Sequence, residues 1–222
     1  MSLTRYGYRN AISGFFEFPT DNARRILPAG LEPVELHHGT SIFSMTVFDF
    51  TESEVGTYGE VVMSVIVAPL VKPGERLPKS AFYPYLVATT TKAAREHAIE
   101  RWHLPHWMED VQIRLEPQGN RLSATVAADG APVAEITIGD YSWNPVSHLY
   151  QSFMRDDKSY LANITMEGEQ SEHEEETGHV RLHEHAFNKD LVVSEVYDVP
   201  FREIWMRNGA QTFQPLVQLE TA

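Results

Sequence analysis

The segment from Trp102 to Trp107 concentrates side chains that could do chemistry. It reads Trp-His-Leu-Pro-His-Trp and places two indoles and two imidazoles around one proline. A histidine such as His106 can exchange protons near neutral pH or bind a metal ion, but it cannot form the lasting carbon–nitrogen double bond that a lysine amine makes with a ketone. Chemistry at this segment is therefore expected to be proton transfer, metal binding or polarisation of a carbonyl group.

Glu60 is a second candidate for chemistry. It follows Gly56-Thr57-Tyr58-Gly59, in which two glycines bracket a tyrosine as in a tight turn, and it opens a strongly apolar strand. A carboxyl group whose pKa is raised by burial could shuttle a proton, whereas a solvated carboxyl at a strand end would have no such role. Arg9 could likewise hold a substrate carboxylate bidentately or be an ordinary surface arginine.

A third set of candidates is a row of histidines near the end of the chain. Strand alternation would place His179, His183 and His185 on one face, where they could bind a metal ion as paired histidines do in the small β-barrel proteins called cupins. The glutamate expected downstream is missing, since Asn188 to Asp190 occupy that region. The other interpretation is that these histidines lie on the polar, solvent-exposed face of a strand and bind nothing. No cofactor is expected, apart from a metal ion if this row binds one.

The elements that must position these residues are mostly strands. Short segments rich in Val, Ile, Phe and Tyr, separated by turn residues, are typical of an antiparallel β-protein. The predicted strands are Ala11–Phe18, Ser41–Phe50, Val61–Val71, Phe82–Thr89, Val111–Glu116, Arg121–Ala127, Val133–Ile138, His179–Phe187 and Val192–Trp205, and a short helix capped by Thr20-Asp21 is predicted to run to Ile26.

A second helix is predicted directly before the histidine segment. It begins after a run of three threonines, carries Ala94, Ala98 and Trp102 on one stripe, and stops at Pro105. That stop places His106 beyond the carboxyl end of the helix, where the helix dipole is expected to favour the imidazolium form and to raise the pKa.

Composition limits the class of protein. The chain has 222 residues and no low-complexity linker, which predicts one domain over residues 1–222. Its net charge of −13, without a run of Lys and Arg, argues against a nucleic-acid partner. Six glutamates fall within residues 167–178, which predicts a mobile acidic loop there.

The sequence also suggests where the protein works. It contains no cysteine, which excludes disulfides and thiolate catalysis. Neither a signal peptide nor a stretch approaching the ~20 apolar residues of a membrane helix is recognisable. The expectation is a cytoplasmic protein with no membrane partner.

Many strands and few helices favour a mainly β (α+β) barrel or sandwich, and a small barrel can enclose a ligand cavity.

Several of these segments together resemble the acetoacetate decarboxylase family over nearly the whole chain. The glycine-tyrosine-glutamate element and the helix that exits into a proline are the more specific matches. The matching text comprises Arg9, Ile26-Leu27-Pro28-Ala29-Gly30-Leu31-Glu32-Pro33, Gly56-Thr57-Tyr58-Gly59-Glu60, Ala94-Arg95 through Glu100 to Leu104-Pro105, and Phe201-Arg202-Glu203-Ile204 through Asn208-Gly209-Ala210.

The resemblance implies a cone-like antiparallel β-barrel with an internal pocket, assembled into homo-oligomers. In the family, a lysine directly after the proline forms a Schiff base with a β-keto acid, beside a glutamate and an arginine that carry over to Glu60 and Arg9. The lysine position carries over to His106, and there the match fails. A relocated lysine would have to come from Lys72, Lys79 or Lys92.

The functional hypothesis is a pocket for a small carboxylated or carbonyl-containing molecule. His106, Glu60 and Arg9 would be catalytic, in lyase or isomerase chemistry by acid and base, and Tyr58, Trp102 and Trp107 would contact the substrate. Two alternatives stay open. One is a non-catalytic small-molecule-binding protein, and the other is a metal-dependent barrel enzyme that uses the histidine row.

Overall fold

The computed structural model describes residues 3–220, which form strands for most of their length and two short α-helices. This confirms the predicted mainly β fold. The strands are β1 Thr4–Pro19, β2 Glu35–His37, β3 Thr40–Glu52, β4 Tyr58–Val67, β5 Ala81–Thr89, β6 Gln112–Gln118, β7 Arg121–Ala128, β8 Ala131–Gly139, β9 Trp143–Arg155, β10 Ser159–His173, β11 His179–Leu182, β12 Arg202–Phe213 and β13 Val217–Leu219, and the helices are α1 Thr20–Ile26 and α2 Lys92–Trp102.

Seven strands close into a barrel. Their order is β1, β12, β10, β9, β5, β4 and β3, and β3 returns to pair with β1. All neighbours are antiparallel except β5 and β9, which run parallel where Ala81 pairs with Gln151 and Phe82 with Ser152. The strand β1 is long enough to pair with β12 along one edge and with β3 along the other, so it completes the ring.

The second sheet covers one outer wall of the barrel. It contains β11, β8, β7 and β6 in that order, all antiparallel. Because neighbouring side chains on a strand point to opposite faces, Ile12 and Phe16 of β1 pack in the core shared with this sheet, whereas Ala11 and Phe15 belong to the cluster inside the barrel. The barrel therefore has one core outside its wall and one within it.

The helix α2 and its exit are fixed against β5. The hydroxyl of Thr91 accepts a hydrogen bond from the backbone N–H of Ala94 and caps the helix, and His103 ends it with a positive φ of 54°. The backbone N–H of Val87 then donates to the carbonyl of Pro105 at 3.0 Å, and that of Trp107 donates to the carbonyl of Val87 at 2.8 Å. The exit segment is thus bound to β5 on both sides of His106.

Four predicted strands differ from the observed ones by more than three residues at one or both ends, and the first of them, predicted from Ala11, begins at Thr4. The strand predicted over Val61–Val71 spans Tyr58–Val67, and the one predicted over His179–Phe187 stops at Leu182, because a 3-10 turn occupies Ala186–Asn188. The strand predicted over Val192–Trp205 begins only at Arg202, after a 3-10 turn at Val193–Glu195. Within residues 3–220, no helix has the length and apolar character needed to cross a bilayer.

The predicted acidic loop over residues 167–178 is wrong for its first half. Residues up to His173 belong to β10, whose backbone pairs with β9 and β12. Glu167 and Glu169 are exposed on this strand, and Glu169 accepts an ion-pair contact from Arg207 of β12. The acidic residues are therefore partly a solvated strand face, which a count of charges does not distinguish from a loop.

Candidate active site inside the barrel

A cavity of about 110 Å³ lies inside the barrel. Most of its wall is made of phenylalanine, methionine and aliphatic side chains that point inward from the seven strands, with Leu104 of the α2 exit closing one part. The volume is of the order of the ~150 Å³ engineered cavity that holds benzene, so it suits a small or narrow ligand. The polar residues of its wall are Ser13, Thr46, Glu60, Ser64, Tyr150, Ser152 and Gln211.

Glu60 is the carboxylic acid of the cavity wall. It lies on β4 opposite Phe48 of β3 and Thr89 of β5, and only 7% of its surface is exposed. Burial raises the pKa of the Glu60 carboxyl to about 8, and no cation among residues 3–220 forms an ion pair with it. An acid in this environment exists in both protonation states near neutral pH, which suits proton transfer.

A hydrogen-bonded aromatic group lies beside the cavity at its Phe213 wall. The indole N–H of Trp102 donates to the hydroxyl of Tyr6 at 2.6 Å, and this hydroxyl lies 2.6 Å from Nε2 of His97. The ring of Phe213 contacts both Trp102 and Tyr6, with centroids 4.5 and 5.6 Å away. Burial raises the pKa of the Tyr6 phenol above its ordinary value. This group fixes the wall, and Tyr6 and His97 were not among the predicted site residues.

The structure does not bring Arg9 to Glu60. The side chain of Arg9 is 69% exposed and its Nε lies 3.7 Å from a carboxylate oxygen of Asp49 on the neighbouring strand. No arginine or lysine of the described chain lines the cavity. Arg9 therefore has the geometry of a surface arginine rather than of a carboxylate clamp in this cavity.

His106 also lies outside the cavity. It borders a different depression together with Trp107, Tyr85 and Phe187, and its Nδ1–H donates to the carbonyl oxygen of Trp107 at 2.6 Å. Burial lowers the pKa of the His106 imidazole to about 4, so the predicted upward shift from the helix dipole is wrong. Loss of hydration outweighs the dipole because the ring is largely removed from water.

None of the three predicted substrate contacts lines the cavity: Tyr58 and Trp102 belong to the cluster inside the barrel, and Trp107 lies outside the barrel beside His106. Tyr58 is buried and packs on Phe50, with ring centroids 4.8 Å apart. Trp102 is buried behind Phe213. Trp107 packs edge-on against Phe187 in the depression that contains His106.

The predicted histidine row does not form on one strand face. Because β11 ends at Leu182, only His179 lies on it. His183 lies 2.8 Å from a carboxylate oxygen of Glu135, and His185 caps the following 3-10 turn, with its Nδ1 accepting the backbone N–H of Phe187. In the described residues, no group of three or more histidine or acidic side chains is arranged to hold a metal ion.

Tyr150 of β9 lines the cavity, as expected from the sequence for an aromatic of the pocket wall, but sequence reasoning missed Met166 of β10 beside it. Neither strand was predicted. The signal available was a period of two, since His148, Tyr150 and Ser152 alternate with residues of the other face. Polar residues interrupt both faces of this segment, so the apolar pattern that usually identifies a strand is weak.

Comparison with solved structures shows the fold of known relatives at low sequence identity. The chain aligns with acetoacetate decarboxylase from Legionella pneumophila subsp. pneumophila str. Philadelphia 1 with a TM-score of 0.65 at 16% identity, over 97% of this chain and 87% of that one. An acetoacetate decarboxylase-like enzyme from Sphingomonas wittichii RW1 gives 0.63 at 13% identity, over 100% and 94% of the two chains. The enduracididine biosynthesis enzyme MppR complexed with pyruvate gives 0.63 at 11%, over 99% and 92%.

No curated protein sequence matches this chain. A family model, described as acetoacetate decarboxylase, matches residues 2–220. That match covers nearly the whole chain and agrees with the barrel and with the earlier resemblance. The chain therefore belongs to the acetoacetate decarboxylase family.

Proposed function

We propose that this protein binds a small carbonyl compound inside the barrel and moves a proton on it through Glu60, as an isomerase or lyase. One observation carries the proposal: a buried carboxylic acid, with its pKa raised to about 8, lines an otherwise largely apolar cavity. Cavities with a few converging polar groups and a perturbed acid are the usual places for ligand binding and catalysis.

Glu60 has two chemical uses in this proposal. In its neutral form it donates a hydrogen bond to the carbonyl oxygen and polarises the bond. In its ionised form it removes a proton from the carbon next to the carbonyl and returns that proton to another position. The balance between the two forms shifts near the pKa of about 8, so the rate of a reaction that needs the base rises as the pH approaches that value.

The cavity offers no lysine amine that could form an imine with a carbonyl ligand, as far as the described residues show. No lysine lines the cavity in residues 3–220. Lys72 and Lys92 are exposed, and Lys79 is tied to Glu172 in an ion pair. We therefore do not propose decarboxylation through a Schiff base, although the resemblance to the family implies that reaction.

Binding without turnover is the second candidate function. It is favoured by the lack of a cation in the cavity wall of the described chain, because an enolate formed there would have no positive charge beside it. Ser13 and Thr46 line the cavity, but their hydroxyls bond to each other at 2.8 Å and carry no charge. A neutral ligand held in this cavity needs no such charge.

The test is proton exchange in heavy water, which needs no knowledge of the natural substrate. We would incubate the protein with a panel of small ketones, aldehydes and oxo acids and follow loss of the protons next to the carbonyl by NMR. Proton transfer by Glu60 predicts exchange that falls by about 100-fold or more in Glu60→Gln and is unchanged in Glu169→Gln, an exposed residue of β10.

Equal exchange in wild type and Glu60→Gln would contradict the catalytic proposal. Saturable binding detected by saturation-transfer NMR, with no exchange and no product, would favour the second candidate function. Binding that is unaffected by substitutions in the cavity wall, such as Val62→Trp, would contradict both candidates because Val62 lines the cavity.

A further inference from the structure

Four polar side chains meet where one end of the barrel borders the cavity. Lys79 and Arg202 both form ion pairs with Glu172, and Nζ of Lys79 lies 3.4 Å from Nε2 of His148. Each of the three charged side chains retains about a quarter of its exposure, with values of 22%, 26% and 25% for Lys79, Arg202 and Glu172. We name these four residues, Lys79, His148, Glu172 and Arg202, the rim cluster.

The rim cluster adjoins the cavity through two aromatic rings. The guanidinium carbon of Arg202 lies 5.7 Å from the ring centroid of Phe15, and the ring of His148 lies 6.2 Å from that of Tyr150. Both Phe15 and Tyr150 line the cavity. Strand alternation places His148 on the same face of β9 as Tyr150, so the cluster continues the inner surface of the barrel.

The rim cluster carries net positive charge in a chain whose net charge is −13. It holds two cations against one carboxylate, and Arg76 is close enough to add a further positive field at His148. Burial, and then Lys79, lower the pKa of His148, so its imidazole is neutral and contributes a hydrogen-bonding group. An arginine and a lysine side by side at a half-buried site suit a carboxylate or phosphate group.

The rim cluster borders the cavity from outside its lining, at one end, and Glu60 lines the cavity wall towards the other end. Glu60 pairs with Phe48, which pairs with Ala11, whereas Arg202 pairs with Phe15. From Ala11 to Phe15 the strand β1 advances by four residues, which corresponds to roughly 13 Å of extended chain. A ligand that reaches both ends is therefore long and narrow, which agrees with the small volume of the cavity.

We propose that the rim cluster is an anion-binding subsite, and that the ligand of this protein is an elongated amphiphile. Its carboxylate or phosphate head binds Lys79 and Arg202 in competition with Glu172, and its apolar chain follows the phenylalanine and methionine wall. The carbonyl group of the ligand then reaches Glu60. This contact with Glu60 rests on the proposed function. The head-group subsite itself stands on the geometry of the rim cluster.

The test compares ligands that share a chain and differ in charge. Calorimetric titration of the full chain with octanoate, octyl phosphate and octanamide should give at least about tenfold tighter binding for one of the two anions, a difference of ~1.4 kcal/mol. Whichever anion binds more tightly identifies the head group. In Arg202→Met and Lys79→Met this preference should disappear while the affinity for octanamide stays the same.

Arg207→Met is the matched control. Arg207 lies on the same strand as Arg202, on its other face, and is also paired with a glutamate of β10. It should leave the preference for the anion unchanged. Thermal unfolding monitored by circular dichroism checks that each variant folds, and Arg202→Lys, which keeps the charge, should retain most of the preference if Arg202→Met does not fold.

Equal affinity for octanamide and both anions in the wild type would overturn the anion subsite and leave the proposed function of the cavity standing. Loss of the preference in Arg207→Met as large as in Arg202→Met would also overturn it. If none of the three ligands binds, both this inference and the elongated cavity as a binding site fail. Absence of proton exchange alone would contradict only the role of Glu60.

Discussion

At the scale of single residues, the protonation of Glu60 links stability to pH. Burial raises the pKa of this carboxyl from 4.5 to about 8, so the folded chain keeps a proton that the unfolded chain releases at lower pH. The stabilisation is fully present below the unfolded value and is lost as the pH rises towards about 8. Each pKa unit corresponds to about 1.4 kcal/mol.

We therefore expect wild type to lose several kcal/mol of unfolding free energy relative to Glu60→Gln between about pH 5 and about pH 8. Urea unfolding of both proteins at a series of pH values measures this difference. The glutamine cannot titrate, so it is the internal reference. A difference that does not change with pH would show that Glu60 is not buried as a neutral acid.

Substitution of His106 is expected to leave both the stability of the fold and proton exchange in the cavity intact. Its Nε2 is buried without a hydrogen-bond partner among the described residues, and burial holds its pKa at about 4. Because an unpaired buried polar atom is unfavourable, His106→Leu should be neutral or should raise the free energy of unfolding by about 1 kcal/mol. Proton exchange in the cavity should not change.

Thermal unfolding and the exchange assay check both expectations for His106. The substitution His37→Leu, at an exposed position, is the control for a change in surface composition. Loss of exchange in His106→Leu with an intact fold would return His106 to the catalytic role that the sequence suggested.

The sequence predicts the candidate site only in part, and the reason is side-chain direction. Glu60 could be identified because a strand that follows a tight turn has a definite inner face. His106 could not be placed, because the positive φ of His103 turns the chain after α2 and makes Leu104 the residue that faces the cavity. The spacing of residues along the sequence does not predict that turn. Arg9 was misplaced for a similar reason, since a register shift lies between Tyr8 and Asn10.

At the scale of elements, Glu203 joins the barrel to the covering sheet. It is fully buried on β12, and its carboxylate accepts the backbone N–H groups of Gly139, Thr177 and Gly178 at 2.8, 2.6 and 2.8 Å. Gly139 ends β8, and the other two precede β11. One side chain thus satisfies three donors of the second sheet.

We expect Glu203→Gln to lower the free energy of unfolding by about 2–4 kcal/mol, because the amide N–H₂ group meets donors instead of accepting from them. Chemical unfolding measures the loss, and Glu169→Gln on the exposed face of β10 should change stability by less than about 0.5 kcal/mol. A loss at Glu203 no larger than this control would contradict the role of a clamp between the sheets.

Gly209 marks a close approach between strands. A Cβ atom at this position would lie 2.0 Å from the carbonyl oxygen of Glu167 and 2.5 Å from the hydroxyl oxygen of Tyr8. We expect Gly209→Ala to cost about 2 kcal/mol or more by forcing β12 away from β10. In a Tyr8→Phe background the cost should be smaller, because the hydroxyl, one of three atoms that would lie within 3.0 Å of this Cβ, is gone. A double-mutant cycle of unfolding free energies measures the difference. Identical costs in both backgrounds would show that the hydroxyl is not a contact.

The predicted elements were most accurate where one face is fully apolar. β1, β3, β5, β7 and β8 have such a face and were recognised, whereas β9 and β10 were not. The inner faces of β9 and β10 carry Tyr150, Ser152 and the histidine and glutamate of the rim cluster, His148 and Glu172. Strands that surround a cavity and a charged mouth lose the regular apolar alternation, so the elements hardest to predict are the ones that form the candidate site.

At the scale of the whole molecule, self-association stays a prediction. The family resemblance implies homo-oligomers, and we expect size-exclusion chromatography with light scattering to give a mass above the 25.2 kDa of one chain. A single species at that mass across a wide range of concentrations would contradict it. The measurement should be made at moderate salt, because a net charge of −13 opposes association most strongly at low ionic strength.

The closure of the barrel by β1 and β12 has a consequence for synthesis of the protein. Thr4 pairs with Phe213, so the first and last long strands of the chain are neighbours in the ring. A ribosome must therefore deliver the chain through β12 before this seam can form, and until then β1 has an open edge available to other chains. We expect chains that stop before β12 to keep this edge open and therefore to be bound by chaperones or degraded by proteases.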